Sequence, residues 1–299
     1  MDDTTDTTLS GTGDRSLRFL FEHADIRGET VHLDAALRDI LAIHQYAPGV
    51  NRLLGEFLAA AVLLSSTLKF EGKLILQVRS EGQIPLLMVE CDQAMQVRAI
   101  ARGAEHATAD SYDLLLTNGQ LAITVDPDNG QRYQGIVPLV QDSLAHSLDA
   151  YFEQSEQLKT RVWLAADEQR AGGLLLQQLP AQVSEDASQR LQQWDHACSL
   201  ATTVQAAELL DLSAEQLLYR LYHQEPVRLF DARSVSFRCS CSRERTRNAL
   251  ASLNKTEVEE LLEELGSITM DCEFCNQQYR FDRGDLTAVL GEEKPETFH

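Results

Sequence analysis

An α+β fold is what this sequence predicts: an N-terminal α+β domain with antiparallel sheet, a helical linker, and a small C-terminal zinc-binding domain. Three observations carry that expectation. Short runs with alternating apolar residues, joined by turns too short for a crossover, fill most of residues 15–179. From 180 to 232 the alternation gives way to helical spacing of leucines. Within 233–290, four of the six cysteines lie in two tight pairs.

Residues 1–14, rich in Asp, Thr, Ser and Gly, offer no apolar surface to offset the entropy of ordering and read as a disordered tail. Order is expected from Leu17, where Leu17, Phe19 and Phe21 alternate, followed by a second strand over 26–33. Asp34 reads as the N-cap of a helix through His44. Pro48-Gly49 breaks the chain before a long helix in which Leu53, Leu54, Phe57, Leu58, Ala61, Val62 and Leu64 form a wide apolar face. Strands are expected at 74–78, 84–91, 95–101, 114–116, 121–125 and 133–137, with Asn118-Gly119 and 126–130 as turns. A helix around 144–152 precedes a strand at 161–165.

The linker 180–232 carries helical segments at 191–200, 204–210 and 214–223. Each is shorter than the roughly 12 to 15 residues at which an isolated helix becomes stable, so they are expected to hold only when docked. In the last segment Ser242 caps a helix through Leu253, Thr256 with Glu259 makes a capping-box pattern, and Gly266 ends the second helix. Short strands at 268–270 and 279–281 flank the second cysteine pair, and 291–299 reads as a tail.

A formal net charge of −20 and a pI near 4.7 oppose attraction to phosphate backbones and anionic lipids, so neither nucleic acid nor membrane is expected as a partner. The longest apolar run, 57–64, is far short of the roughly 20 residues that span a bilayer. The first residues lack the basic patch and apolar run of a targeting segment. A cytoplasmic protein is expected, and in that reducing compartment cysteine pairs serve metal binding or redox chemistry more than permanent cross-linking.

Cys239-Ser240-Cys241 and Cys272-Glu273-Phe274-Cys275 are separated by thirty residues. Four thiolates at about 2.3 Å suit one tetrahedral zinc ion. A segment of this size is marginal on its hydrophobic core alone, whereas structural zinc in small peptides is worth about 10 to 16 kcal/mol near neutral pH. Arg238, Arg243, Arg245, Arg247 and Arg280 either offset the charge of about −2 on such a centre or only solvate a helix face. Thiolates are also what oxidants attack, so oxidation would remove ligands, eject the metal and loosen the segment.

This cysteine pattern, set in Phe237-Arg238-Cys239-Ser240-Cys241-Ser242 and Met270-Asp271-Cys272-Glu273-Phe274-Cys275, closely resembles the redox-regulated holdase family called the 33 kDa chaperonin, or heat shock protein thirty-three. The stretches 151–157 and 171–177 are also similar to it, and the resemblance covers roughly 15–290. It implies a reduced, inactive state with one zinc ion on Cys239, Cys241, Cys272 and Cys275. It further implies that oxidation pairs Cys239 with Cys241 and Cys272 with Cys275, releases zinc and destabilises the linker. The oxidised protein would form a homodimer and hold unfolded or partly folded client proteins without ATP, with no catalytic residue.

A thiol-disulfide oxidoreductase using Cys272 and Cys275 is the alternative, but the thioredoxin-like βαβ context is absent. A zinc-ribbon nucleic-acid binder is disfavoured because residues 232–299 carry nine Lys or Arg against thirteen Asp or Glu. Cys91 and Cys198 are expected to pack in apolar surroundings, and His196 and His223 to lie on the linker surface or pack. Gly172-Gly173 lacks the surroundings of a phosphate loop, so nucleotide hydrolysis is not expected.

Overall fold

In the computed structural model β1 (Arg15–Phe21) and β2 (Ile26–Leu33) form an antiparallel pair, followed by α1 (Ala35–Leu41) and α2 (Pro48–Thr67). Then come β3 (Gly72–Arg79), β4 (Leu86–Asp92), β5 (Gln96–Arg102), a short α3 (Tyr112–Leu115), β6 (Gln120–Pro127) and β7 (Tyr133–Pro138). The chain continues through α4 (Leu144–Ser155), β8 (Thr160–Ala166), β9 (Ala171–Gln178), α5 (Ala187–Ala201), α6 (Ala206–Asp211) and α7 (Ala214–Tyr222). Three very short strands follow: β10 (Val227–Leu229), β11 (Arg233–Ser234) and β12 (Ser236–Phe237). Last are α8 (Arg243–Leu250), α9 (Lys255–Leu265), β13 (Ile268–Asp271) and β14 (Gln278–Phe281). The chain divides between Arg238 and Cys239 into two compact units.

The structure describes residues 13–67, 71–139, 142–155 and 158–287. The expected N-terminal tail, apart from Gly13 and Asp14, lies outside the described residues. So do the expected tail 291–299, residues 288–290, and residues 156–157 of the 151–157 stretch.

The first unit bears out the expected α+β class. One sheet runs β10-β1-β2-β9-β8, with β11 also on β1, and the other runs β12-β5-β4-β3-β6-β7. α2 lies between them because it is apolar nearly all round: fourteen of its twenty residues are buried. Its length and composition would also let it cross a membrane, but here its apolar surface is spent inside the core with Val31, Leu33 and Leu175 of one sheet and Leu76, Leu87 and Val97 of the other. On the opposite face of the first sheet, Leu17, Phe19, Phe21, Leu174 and Leu176 meet Trp194, Leu209, Leu217, Leu218, Leu221 and Tyr222 of α5 to α7. The short helices expected in the linker are thus present, and their apolar faces are packed against this sheet.

The register of β9 explains Gly172-Gly173. A Cβ at Gly172 would lie 2.1 Å from the Leu209 carbonyl oxygen on α6, and one at Gly173 would lie 2.8 Å from Leu63 Cδ1 on α2. Adjacent residues of a strand face opposite ways, so the two glycines admit a helix closely on each side.

Several local expectations are corrected. Residues 114–116 lie at the end of the short helix α3, not in a strand. Pro48 is the first residue of α2, where its fixed φ and missing N–H cost nothing, so it starts the helix rather than breaking the chain before it. α1 ends at Leu41, short of His44. Asn254, not Thr256, caps α9, its side chain accepting from Thr256 N at 3.0 Å. Ser242 does cap α8, accepting from Arg245 N at 3.2 Å, and Gly266 ends α9 with φ +71°.

Asp34 is the N-cap residue of α1, as expected, but its side chain makes no capping hydrogen bond. The Asp14 carboxylate takes that role, with Oδ1 accepting from Asp34 N at 2.5 Å and from Ala35 N at 3.0 Å, and Oδ2 accepting from Ala36 N. A negative charge on three unpaired N–H groups at a helix start is well placed. Asp14→Ala is expected to cost about 1 to 2 kcal/mol, read as a lower urea midpoint at unchanged m-value. Unchanged stability would show that solvent caps the helix equally well.

Glu56 sits half-buried on α2, and burial raises its pKa to about 7 against the opposing charge of Arg52. The folded chain therefore binds more protons here than the unfolded chain between pH 4.5 and 7, and stability declines as pH rises through that window. Glu56→Gln is expected to gain about 1 to 3 kcal/mol at pH 8 and nothing at pH 4. Denaturant titrations at the two pH values check it, and a gain independent of pH would contradict the assignment.

Candidate metal centre

The second unit has a small core. Among the described residues Leu250, Val258, Leu262, Ile268, Phe281 and Leu286 are buried together, with Met270 and Tyr279 against them. Six buried apolar side chains form a thin core for such a unit. The four thiols stand beside it, at places set by local backbone geometry.

β13 and β14 form an antiparallel hairpin in which Asp271 pairs with Gln278, and the loop between them carries Cys272 and Cys275. Cys272 O accepts from Cys275 N at 3.2 Å and from Asn276 N at 2.7 Å, while Cys272 N donates to Gln277 O at 2.9 Å. Asn276 turns the chain with φ +55°, a left-handed conformation that asparagine tolerates better than most residues. This turn folds both thiols to one side. Cys239 and Cys241 arrive on the extended chain before α8, where Arg245 Nη1 donates to Ser240 O at 2.8 Å and to Ser240 Oγ at 3.0 Å.

The four sulfur atoms lie within 4.8 Å of one another. Cys239 Sγ is 3.6 Å from Cys272 Sγ, and Cys241 Sγ is 3.5 Å from Cys275 Sγ. A tetrahedron with metal–sulfur arms of about 2.3 Å has edges of about 3.8 Å, so the donor set matches in both chemistry and spacing. All six cysteines are free thiols. Among the described residues no histidine or carboxylate joins the group.

The thiols differ in acidity. Burial opposes ionisation of Cys241, but hydrogen bonds from Tyr279 and the other three thiols outweigh it and hold its pKa below the usual thiol value. Cys272 is raised by burial and then by its contact with Cys239, and Cys275 is raised by burial and by its contact with Cys241. Tyr279 Oη lies 3.2 Å from Cys241 Sγ, and this hydrogen bond lifts the phenol to about 12. Tyr279 is a site residue that the cysteine spacing did not reveal; its position four residues after Cys275, on a strand, was the available clue.

Three of the five arginines, Arg243, Arg245 and Arg280, make side-chain contacts within the second unit. Arg243 pairs with Asp285 at 2.7 Å and stacks 4.6 Å over Phe281, and Arg280 donates to Ser267 Oγ at 2.9 Å. Arg245 reaches the backbone between the first two thiols. Arg238 precedes the second unit. Cys91 and Cys198 belong to the first unit, and burial pushes each up to about 12, which suits packing more than redox chemistry. His196 pairs with Glu225 at 3.0 Å on the surface, and the His223 ring lies 5.7 Å from that of Tyr219, tilted to it.

The family model described as Hsp33 protein matches residues 14–282. The chain belongs to the Hsp33 family. A 33 kDa chaperonin from Pseudomonas aeruginosa (strain UCBPP-PA14) is 54% identical over 293 residues, covering 96% of this chain and 99% of the relative. One from Ectopseudomonas mendocina is 53% identical over 288 residues, covering 94% and 98%. One from Azotobacter vinelandii is 53% identical over 280 residues, covering 93% and 94%. The crystal structure of the 33 kDa chaperonin from Thermotoga maritima matches with a TM-score of 0.77 over 93% of this chain and 98% of that one, at 20% identity, and so shares the Hsp33 fold. Membership makes the chain a chaperone, and four of its cysteines are placed to hold a metal ion.

Proposed function

We propose that this chain is a cytoplasmic, ATP-independent holdase whose binding of unfolded or partly folded client proteins is switched on by oxidation of Cys239, Cys241, Cys272 and Cys275. In this reading residues 15–179 are the chaperone domain, 180–232 a metastable linker and 233–290 the switch. The observation that supports it best is the set of four thiols at zinc-binding distances beside a core of six buried side chains.

Zinc, when bound, would offset half the negative charge of the four thiolates and supply folding energy that the thin core lacks. Tyr279 and Arg245 position the Cys241 sulfur and the Ser240 backbone. Forming each disulfide takes two electrons and two protons from a thiol pair; hydrogen peroxide accepts them, its O–O bond breaks, and it leaves as two waters. The pairs are Cys239 with Cys241 and Cys272 with Cys275, the near neighbours in sequence. Their formation removes every metal ligand. The linker then leaves its sheet, and the apolar faces of α5 to α7 and of β1 and β9 become available to clients. The oxidised form dimerises. The negative charge of the chain argues against nucleic acid and anionic membrane as partners, and nothing in the site calls for an enzymatic reaction.

The test compares reduced and peroxide-treated protein at elevated temperature, following zinc release and suppression of a client's aggregation together. Protection that rises in step with released zinc supports the reading. Oxidised, zinc-free protein that protects no better than the reduced form ends it.

A further inference from the structure

Residues 226–238 form a strap that closes one edge of each sheet in the first unit. β10 lies antiparallel on β1, pairing Leu229, Arg228 and Val227 with Phe19, Leu20 and Phe21. β11 pairs Arg233 and Ser234 with Ser16 and Arg15. The chain then passes to the second sheet, where β12 runs parallel to β5 and pairs Ser236 with Gln96 and Phe237 with Val97. Ser236 N donates to Met95 O at 3.2 Å, and Arg238 N donates to Val97 O at 3.0 Å. The next residue is Cys239.

This cover is held by backbone more than by side chains. Of residues 226–238 only Val235 is buried, and Val227, Phe230 and Phe237 are half-buried. Little apolar surface opposes its release, and segments of that kind open at low free energy. β5 itself is part of the core, with Val97, Ala99 and Ala101 buried, so its edge outlasts the strap. An uncovered strand edge presents N–H and C=O groups at fixed spacing to any extended chain. Backbone pairing of this kind tolerates many sequences and adds selectivity through alternate side chains. Here those positions are occupied by Val235 and Phe237, which pack against the core.

We propose that the outer edge of β5, once β12 has left it, accepts an extended segment of an unfolding polypeptide. The segment lies parallel to β5, donates N–H groups to the Met95 and Val97 carbonyls, and places apolar residues where Val235 and Phe237 now sit. This rests on the holdase reading and adds to it a mode of recognition carried by the client backbone, which asks of the client sequence only apolar residues at alternate positions.

The probe is a fluorescent peptide with the sequence of residues 226–238, compared with the same peptide N-methylated at Ser236 and Arg238, which keeps every side chain but removes the two donors. Anisotropy is measured on the full chain, reduced and peroxide-oxidised. The oxidised chain is expected to bind the plain peptide, and N-methylation to weaken binding about tenfold, the value of two ordinary hydrogen bonds. The reduced chain, its edge occupied, is expected to bind the plain peptide at least about tenfold more weakly. The plain peptide should also block suppression of client aggregation. Equal binding of the two peptides, or no binding by the oxidised chain, overturns the proposal. Suppression undiminished with the plain peptide bound overturns it too while leaving the holdase reading in place. An oxidised chain that binds the plain peptide selectively but suppresses no aggregation keeps the acceptor edge and removes the holdase reading.

Discussion

Cys272→Ser is expected to abolish metal binding and unfold the second unit while the first stays folded. Serine keeps the loop backbone, in which Cys272 O accepts from Cys275 N and Asn276 N, so the loss is confined to one sulfur. Structural zinc in small peptides contributes about 10 to 16 kcal/mol, as much as the whole stability of a typical domain. Against that, the six side chains buried together among the described residues of this unit leave little margin. Metal analysis should fall from one ion per chain to near zero, and amides of α8 and α9 should lose hydrogen-exchange protection. Retained protection in the metal-free variant would mean that the core suffices alone, and oxidation could then not unfold the unit by removing ligands.

Gly172→Ala is expected to lift α6 from the first sheet without touching the metal centre. The added methyl would meet the Leu209 carbonyl oxygen at 2.1 Å, a backbone atom with no rotamer to yield. α6 is otherwise tied down by His32 Nε2, 2.9 Å from Leu210 O, and by Arg170, which pairs with Asp211 at 2.6 Å. Overpacking of this kind costs about 1 to 3 kcal/mol and sometimes more. Amides of α5 to α7 should exchange faster and Trp194 fluorescence should shift, with one metal ion still bound per chain. On the holdase reading, the reduced variant should suppress aggregation that the reduced parent does not. If the amides loosen and no protection appears, undocking the linker is not what exposes the client surface.

How much was legible in the sequence depended on whether a residue's partner was local. The four cysteines were legible because ligand spacing is a local property, and the linker helices because helical periodicity survives wherever one face is buried. β9 carries no strand signature in the sequence. It is buried on both faces, by α2 and by α5 to α7, so its leucines do not alternate with polar residues and its two glycines look like a loop. The three leucines at 114–116 mimic a strand core, but Leu114 is exposed at the end of a four-residue helix. Asp34 is legible as the N-cap residue of α1 because it immediately precedes the helix, whereas the carboxylate that bonds the helix start comes from Asp14, which arrives there only through the pairing of β1 with β2. β10 to β12 are two or three residues long and mostly exposed, so no periodicity marks them. Tyr279 joins the thiols through the hairpin register, which spacing alone does not disclose.

The two glycines of β9 also differ in what could repair their loss. An alanine at Gly173 meets first the flexible end of Leu63 at 2.8 Å, then Leu164 Cδ2 at 3.1 Å and the Trp163 carbonyl oxygen at 3.2 Å, so trimming the tightest neighbour, as in Leu63→Val, should partly restore a Gly173→Ala chain as a second-site suppressor. An alanine at Gly172 meets a peptide carbonyl, which every amino acid carries, and no substitution at position 209 can remove it. Selection for suppressors should therefore return changes at Leu63 for one glycine, and for the other only reversion or a wholesale shift of α6.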